Sequence, residues 1–205
     1  MRNLSLLIIG LLYSILVYSS EIRGYVITNN GNKINGYFFI DSIPKRGFKY
    51  QSMYQGLIFM DSLAKQKVVY KPYDIKEAYF YDPDLKHDYR FISNDIFINS
   101  GFIYNKRKVF LRQIDSGYLS LYDYSENQKT IRGEDYVTIY YWIQKQKGDL
   151  ILFSKRKEND TAKKFISDLI GNQSGFLNEF PDDYPWNAAV MLVDKFNNWY
   201  ENNIK

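Results

Sequence analysis

The chain has no cysteine among its 205 residues, which excludes disulfide staples, thiolate metal ligands and cysteine nucleophiles together. It has one histidine, His87. A Ser-His-Asp device would have to use that residue, and no G-x-S-x-G nucleophile elbow accompanies it. An imidazole-based zinc site is equally unsupported, since one His without Cys leaves only carboxylates as ligands. Charge is nearly balanced, at +4, too mild to imply a nucleic-acid partner. No apolar run is long enough to span a membrane: the apolar run at residues 4–17 falls short of the roughly twenty residues a spanning helix needs.

That short run has a different meaning. Arg2 precedes it, Gly10 and two serines interrupt it, and Ser19 and Ser20 follow before the first acid, Glu21. A positive start, a short apolar middle and a small-residue exit are the layout of a secretory signal peptide. Val17 and Ser19 suit the two positions a signal peptidase reads. Cleavage after Ser19 makes residues 1–19 the leader, starts the mature protein at Ser20 and leaves a charge of +3 once Arg2 is lost. The expected location is exported: periplasmic, outer-envelope-associated or secreted, with no transmembrane span after cleavage. An uncleaved anchor is the competing reading, with Tyr13 and Tyr18 at the membrane interface. A lipoprotein anchor is excluded because it requires a cysteine.

What is present in quantity is aromatic: 20 Tyr and 14 Phe. Such residues fit a pleated, half-buried surface, and residues 20–157 divide into short β-prone segments separated by turn chemistry. Residues 22–28 and 33–40 flank Asn29-Asn30-Gly31-Asn32, where Asn-Gly supplies positive φ for a hairpin. Ile34 then faces either Ile27 or Val26, depending on loop length. Residues 108–114 and 118–124 flank Asp115-Ser116-Gly117, which predicts a type I turn closed by a left-handed glycine. That loop pairs Ile114 with Tyr118, Arg112 with Ser120 and Phe110 with Tyr122, and on the other face Leu111 with Leu121 and Gln113 with Leu119. Residues 136–143 and 150–154 form a third hairpin through Lys147-Gly148-Asp149. Further strands are expected at 47–50, 56–60, 68–70, 75–81, 89–92 and 96–98. Regular short strands with hairpins predict an antiparallel β-sandwich or barrel-like body.

After Lys155-Arg156-Lys157 the period changes. Ala162, Phe165, Ile166, Leu169 and Ile170 form one helical stripe, capped by Asn159 or Asp160 and ended by Gly171. A second helix after Pro185 carries Ala189, Leu192, Val193, Phe196, Trp199 and Tyr200 on one side, with Asp182 and Asp183 near its N-terminus. Residues 172–184 make a long connector, pinned by Phe176, Leu177 and Phe180. The pair 158–205 is expected to pack on the sheet as a cap within the same structural domain, which makes the fold class α+β.

Candidate chemistry is sparse. His87 sits in a polar stretch and reads as a surface residue. Asp82, Asp84 and Asp88 cluster near it, but the glycine and closing glutamate of an EF-type calcium loop are missing, and Asp-Pro-Asp is ordinary turn chemistry. Two carboxylates across a cleft would suffice for a glycosidase, yet no pair is singled out, so no catalytic, metal or cofactor residue is assigned and no cofactor is expected. Lys106-Arg107-Lys108 and Lys155-Arg156-Lys157 read as solvated rims at strand ends, or as sites for an acidic lipid or polysaccharide. The aromatic faces are the best lead: Tyr118, Tyr122 and Tyr124 on one strand, Tyr136, Tyr140 and Trp142 on another, each opposite an aliphatic face. Either the two helices bury these rings, or the rings are exposed as a stacking surface for sugars or an apolar ligand. Tyr118, Tyr122, Tyr136, Tyr140 and Trp142 are the ligand-binding candidates.

Gly24-Tyr25-Val26-Ile27-Thr28 with Gly31, Ile34 and Gly36, then Tyr70-Lys71-Pro72-Tyr73-Asp74-Ile75, then residues 108–111 through Gly117 to Leu121-Tyr122, resemble a family of uncharacterised exported β-rich proteins of Bacteroidetes-type bacteria. The resemblance implies export and a β-rich fold, and brings no site residues. The functional expectation is a non-enzymatic cell-envelope protein that acts by binding or assembly, with an envelope protein or glycan as partner. The alternative is a carboxylate-dependent hydrolase of glycan or peptidoglycan.

Overall fold

The computed structural model describes residues 20–40, 51–100, 103–129, 132–146, 148–153, 161–181 and 189–204. The fold is α+β: antiparallel sheet with two C-terminal helices packed on it. The strands are β1 (Ser20–Thr28), β2 (Lys33–Ile40), β3 (Leu57–Asp61), β4 (Lys67–Tyr70), β5 (Ile75–Asp82), β6 (His87–Ser100), β7 (Ile103–Asp115), β8 (Leu119–Lys129), β9 (Asp135–Lys145) and β10 (Leu150–Phe153). The helices are α1 (Ala162–Ile170) and α2 (Ala189–Asn203), with 3-10 segments at Gln51–Tyr54 and Gly171–Glu179.

The chain forms two compact units, one through Asn94 together with Lys108–Phe110, the other from Asp95–Arg107 and Leu111 onward. Strand order is β6-β5-β1-β2-β3-β4 in the first and β10-β9-β8-β7 in the second. β4 and β10 are edge strands, so the described strands do not close into a barrel. The expected leader, residues 1–19, lies outside the described residues, as do strand 47–50, Lys147, Lys155-Arg156-Lys157, Asn159, Asp160 and the stretch 182–188.

In the first unit, β1 and β2 pair in the register that sets Val26 opposite Ile34. Gly31 adopts φ 86 in the connecting turn, as the Asn-Gly signal requires. The inward face carries Ile22, Val26, Phe38, Ile40, Leu57, Phe59, Phe80 and Phe91, all buried. Gly24 and Gly36 stand directly opposite each other within this face. A Cβ on Gly24 would lie 2.2 Å from the Tyr79 carbonyl and 2.7 Å from the Phe38 ring, and one on Gly36 would lie 2.1 Å from the Met60 carbonyl and 2.6 Å from the Phe59 ring. The missing side chains let the rings of Phe38 and Phe59 lie against backbone, with centroids 5.0 Å apart. Phe38 in turn meets Phe80 at 5.3 Å.

In the second unit the hairpin register departs from expectation. Arg112 pairs with Asp123 and Gln113 with Tyr122, then an irregularity sets Asp115 against Leu121. Two interactions account for the shift. Arg112 and Asp123 form a bidentate ion pair, Nε–H to Oδ1 at 2.9 Å and Nη2–H to Oδ2, with the carboxylate 3 % exposed; a buried acid of this kind needs its partner opposite it. Gly117, expected as a left-handed turn residue, is absent from the positive-φ residues. It is small because Asn197 of α2 occupies the space beside it: a Cβ there would lie 2.6 Å from the Asn197 side chain.

Asn197 is the polar exception in an apolar helix stripe, 5 % exposed. Its Oδ1 accepts from the Leu119 N–H at 2.9 Å, and its Nδ2 donates to the Leu119 carbonyl at 2.8 Å and to Asp115 Oδ2 at 2.9 Å. Around it Leu119, Leu121, Ile143 and Phe153 of the sheet pack with Ala162, Phe165, Ile166 and Ile170 of α1 and Leu192, Val193 and Phe196 of α2. The helical stripes thus face this core as their spacing predicts, with Leu169, Trp199 and Tyr200 half-buried at its margin. Thr161 caps α1, accepting from the Lys164 N–H at 3.2 Å, while Gly171 ends that helix at φ 60. The connector is more ordered than expected: Gly171–Glu179 is 3-10 helix, with Phe176 and Leu177 buried as its anchors.

Two stability outcomes follow from this packing. Gly24→Val should cost about 2–3 kcal/mol by overpacking, read as an earlier urea transition in far-ultraviolet circular dichroism. Asn197→Ala should lower the stability of the second unit by about 2–4 kcal/mol, because the Leu119 N–H and C=O are left buried without partners. Trp142 and Trp199 belong to that unit, so their emission follows its unfolding.

Candidate functional site

The five ring residues singled out from sequence do not form one surface. Tyr122 and Trp142 sit opposite each other on β8 and β9, and Tyr124 opposite Tyr140. Tyr122, Tyr124 and Trp142 are buried, at 5 %, 2 % and 4 % exposure. The helices do not cover them: α1 and α2 lie on the opposite, aliphatic face with Leu119, Leu121 and Ile143. Tyr122 donates to Gln144 Oε1 at 3.2 Å and Tyr124 to Glu126 Oε2 at 3.4 Å, while Gln128 donates to the Tyr140 oxygen at 2.9 Å. Burial pushes the Tyr124 phenol up to about 12. The Trp142 indole N–H is buried with no partner among the described residues. The side chain of Tyr136 lies outside the described residues.

Tyr118 belongs elsewhere. Its ring meets Tyr200 at 4.3 Å and Phe196 at 5.7 Å on α2, and the Lys145 ammonium lies 5.4 Å from its centroid. With Gly117, Gln146, Tyr200 and Glu201 it lines a half-open notch of about 310 Å³.

The remaining constellations resolve into structure. Asp82 is fully buried and accepts from the N–H groups of Asp84 and Leu85 at 2.9 and 3.2 Å, a turn role. Asp84 is exposed, and Asp88 accepts from the Tyr79 hydroxyl. His87 is exposed and meets the Tyr89 ring edge-on at 4.8 Å. Lys106-Arg107-Lys108 lies inside β7 and not at a strand end, because that strand begins at Ile103. Its members diverge: Lys106 pairs with Asp95 at 3.1 Å, Arg107 with Glu126 at 3.6 Å, and Lys108 lies 5.7 Å from the Tyr73 ring centroid. No group of three or more His, Asp or Glu that could hold a metal occurs among the described residues.

The solvent-facing side of the first unit's sheet carries a better candidate. Its registers place residues in rows across the strands. Arg90, Tyr79, Tyr25 and Asn35 form the central row, across β6, β5, β1 and β2. Ile92, Glu77, Ile27 and Lys33 run beside it on the same strands. Arg23, Tyr37, Met60 and Lys67 form the next row, and Glu21, Phe39, Ile58 and Val69 the last. Tyr81 adds a ring that is 47 % exposed.

The central row is tightly organised. Tyr25 and Tyr79 stack with centroids 5.0 Å apart and planes 22° from parallel. The Lys33 ammonium sits 3.9 Å from the Tyr25 ring centroid, a cation–π contact. Tyr25 donates to Glu77 Oε1 at 3.2 Å, while the other carboxylate oxygen accepts from Arg90 at 2.7 Å. The Tyr79 hydroxyl donates to Asp88 Oδ1. Burial, and then the charge of Glu77, raise the Tyr25 phenol. Tyr79 is pushed up to about 12, first by its hydrogen bond to Asp88. Rings, guanidinium and carboxylates are thus preset on a β surface, an arrangement suited to holding a ligand.

Sequence reasoning missed this face because its rings are spread over three strands, β1, β2 and β5. Tyr25, Tyr37, Tyr79 and Tyr81 meet only when β1 lies between β2 and β5, an order that adjacent hairpins do not reveal. The one available signal was the alternation Tyr25-Val26-Ile27 and Tyr79-Phe80-Tyr81, with a ring at every outward position but one. No protein-family model, curated protein or solved structure matches the chain.

The hydrogen bond to Asp88 favours neutral Tyr79, so its contribution to stability is complete below pH 10 and is lost as pH rises through about 12. Ultraviolet difference titration of the native chain against Tyr79→Phe should show a phenol ionising near 12, and Asp88→Asn should return it toward 10.

Proposed function

We propose that this is an exported, non-enzymatic protein of the cell envelope that acts by binding, and that the tyrosine-bearing face of its first unit is the contact surface. The leader-like start supports export. The observation that carries binding is the preset central row: stacked Tyr25 and Tyr79, flanked by Lys33, Arg90 and Glu77. Aromatic rings beside fixed hydrogen-bonding groups suit a ligand with both apolar C–H faces and many hydroxyls, which is the chemistry of a glycan.

The hydrolase alternative needs a carboxylate free to donate or accept a proton at substrate. The best-placed acids are committed elsewhere: Glu77 to Arg90 and Tyr25, Asp88 to Tyr79, and buried Asp123 to Arg112. Their engagement supports binding without turnover.

The chain from Ser20 onward is expected to co-sediment with envelope glycan, and Tyr25→Ala combined with Tyr79→Ala should weaken retention about tenfold or more, each stacking ring contributing about 1 kcal/mol. Release of reducing ends from the same glycan by the native chain would overturn the reading. Retention unchanged in the double variant would remove this face from it.

A further inference from the structure

We infer that the β4 edge of the first unit is a docking site for an extended, acid-flanked segment of another protein, which adds to the sheet as its next strand. This goes beyond the glycan reading and rests on the edge strand, not on the central row of Tyr25 and Tyr79.

β4 pairs with β3 through Leu57 opposite Tyr70, Ile58 opposite Val69, Phe59 opposite Val68 and Met60 opposite Lys67, and it is the last strand in the order. In an antiparallel pair, alternate residues turn their N–H and C=O groups away from the partner. Among the described residues no strand takes up those of β4, which form an open ladder, the usual seat of strand addition.

The side chains make the same case independently. Val69 is 54 % exposed, its row neighbour Ile58 is 42 % exposed, and the row continues to half-buried Phe39. Val68, on the opposite side of the strand, is 37 % exposed. A valine is thus left open on each face of the edge, where the residues of a following strand would cover it.

Charge selects the occupant. Lys65, Lys67 and Lys71 flank or belong to the strand and are exposed. The Lys67 ammonium lies 3.6 Å from the Phe39 ring centroid, and among the described residues none of the three forms an ion pair. Two acids of the flanking turns accept from backbone, Asp61 from the Leu63 N–H at 2.7 Å and Asp74 from the Lys71 N–H at 2.7 Å, and their charges reach Tyr70 of β4; the three lysines outnumber them and leave the edge net positive. A second copy laid on this edge would bring lysines against lysines, the arrangement by which natural sheets prevent self-pairing. A strand apolar at its centre, with carboxylates at its ends, meets the same lysines with opposite charge and covers the valines.

The test is fluorescence anisotropy of the full chain with a labelled, end-blocked eight-residue peptide: two glutamates, alternating valine and threonine over the four central positions, and two glutamates. Saturable binding is expected, at least tenfold weaker when lysine replaces glutamate. N-methylation of alternate central amides in one of the two frames should abolish it, because that frame carries the ladder. The combined variant Lys65→Glu, Lys67→Glu and Lys71→Glu should exchange the preference toward the lysine peptide, which also shows that it folds and that this edge is the site. No binding by the acidic peptide overturns the inference, as does equal binding when both frames are methylated, which would mean charge attraction without a strand. Dimerisation of the native chain in sedimentation equilibrium, abolished by Val69→Lys, would give the edge to a second copy and overturn the choice of occupant.

Discussion

The second unit depends on a carboxamide that takes the place of a strand. At the start of β8 the hairpin irregularity leaves Leu119 without a neighbour in β7, and the Asn197 side chain both accepts from its N–H and donates to its carbonyl. Buried backbone groups without partners are expensive, so the position of α2 along the sheet is fixed by hydrogen bonds as well as by apolar contact. Leu192, Val193 and Phe196 could slide over a flat aliphatic face at small cost; Asn197 cannot move without orphaning two backbone groups. Gly117 leaves the room it needs, and the third hydrogen bond, to Asp115, orients the amide.

A comparable constraint operates in the first unit, with sterics in place of hydrogen bonds. Gly24 and Gly36 face each other across β1 and β2, and the rings of Phe38 and Phe59 fill the space their side chains would have taken. The sheet can therefore carry large rings inward, Phe38, Phe59 and Phe80, without being forced apart. Its other face is left to tyrosine, whose ring covers the strands while its hydroxyl reaches a carboxylate or solvent. Both proposed binding features follow from that division: a tyrosine face across the middle strands, and an edge where the sheet stops with valines uncovered.

Much of the local structure was legible in the sequence. The Asn-Gly turn, the positions of most strands, both helices, Gly171 as the end of α1 and the anchoring of the connector by Phe176 and Leu177 follow from periodicity and turn chemistry, which act over a few residues; strand lengths did not, since 89–92 and 96–98 belong to the single strand β6 and β7 begins at Ile103. The β7–β8 register was not legible. Alternation alone favoured Arg112 opposite Ser120, whereas the fold sets it opposite Asp123 and satisfies a buried acid. A local pattern ranks registers by which faces match, and carries no information about the cost of burying one unpaired charge. Asn197 was invisible for a similar reason: in a helical stripe it reads as an interruption, and its role exists only where β8 presents a bare backbone.

The sequence by itself determined the antiparallel α+β class, the positions of most strands and both helices, the absence of thiols, and the expectation of export. Only the tertiary structure decided which aromatic residues are buried and which face solvent. It sent Tyr122, Tyr124 and Trp142 inward and gathered Tyr25, Tyr37, Tyr79 and Tyr81 on one outer surface. Alternation along a strand says that two faces differ but not which of them another layer will cover, because that depends on strands and helices distant in the chain.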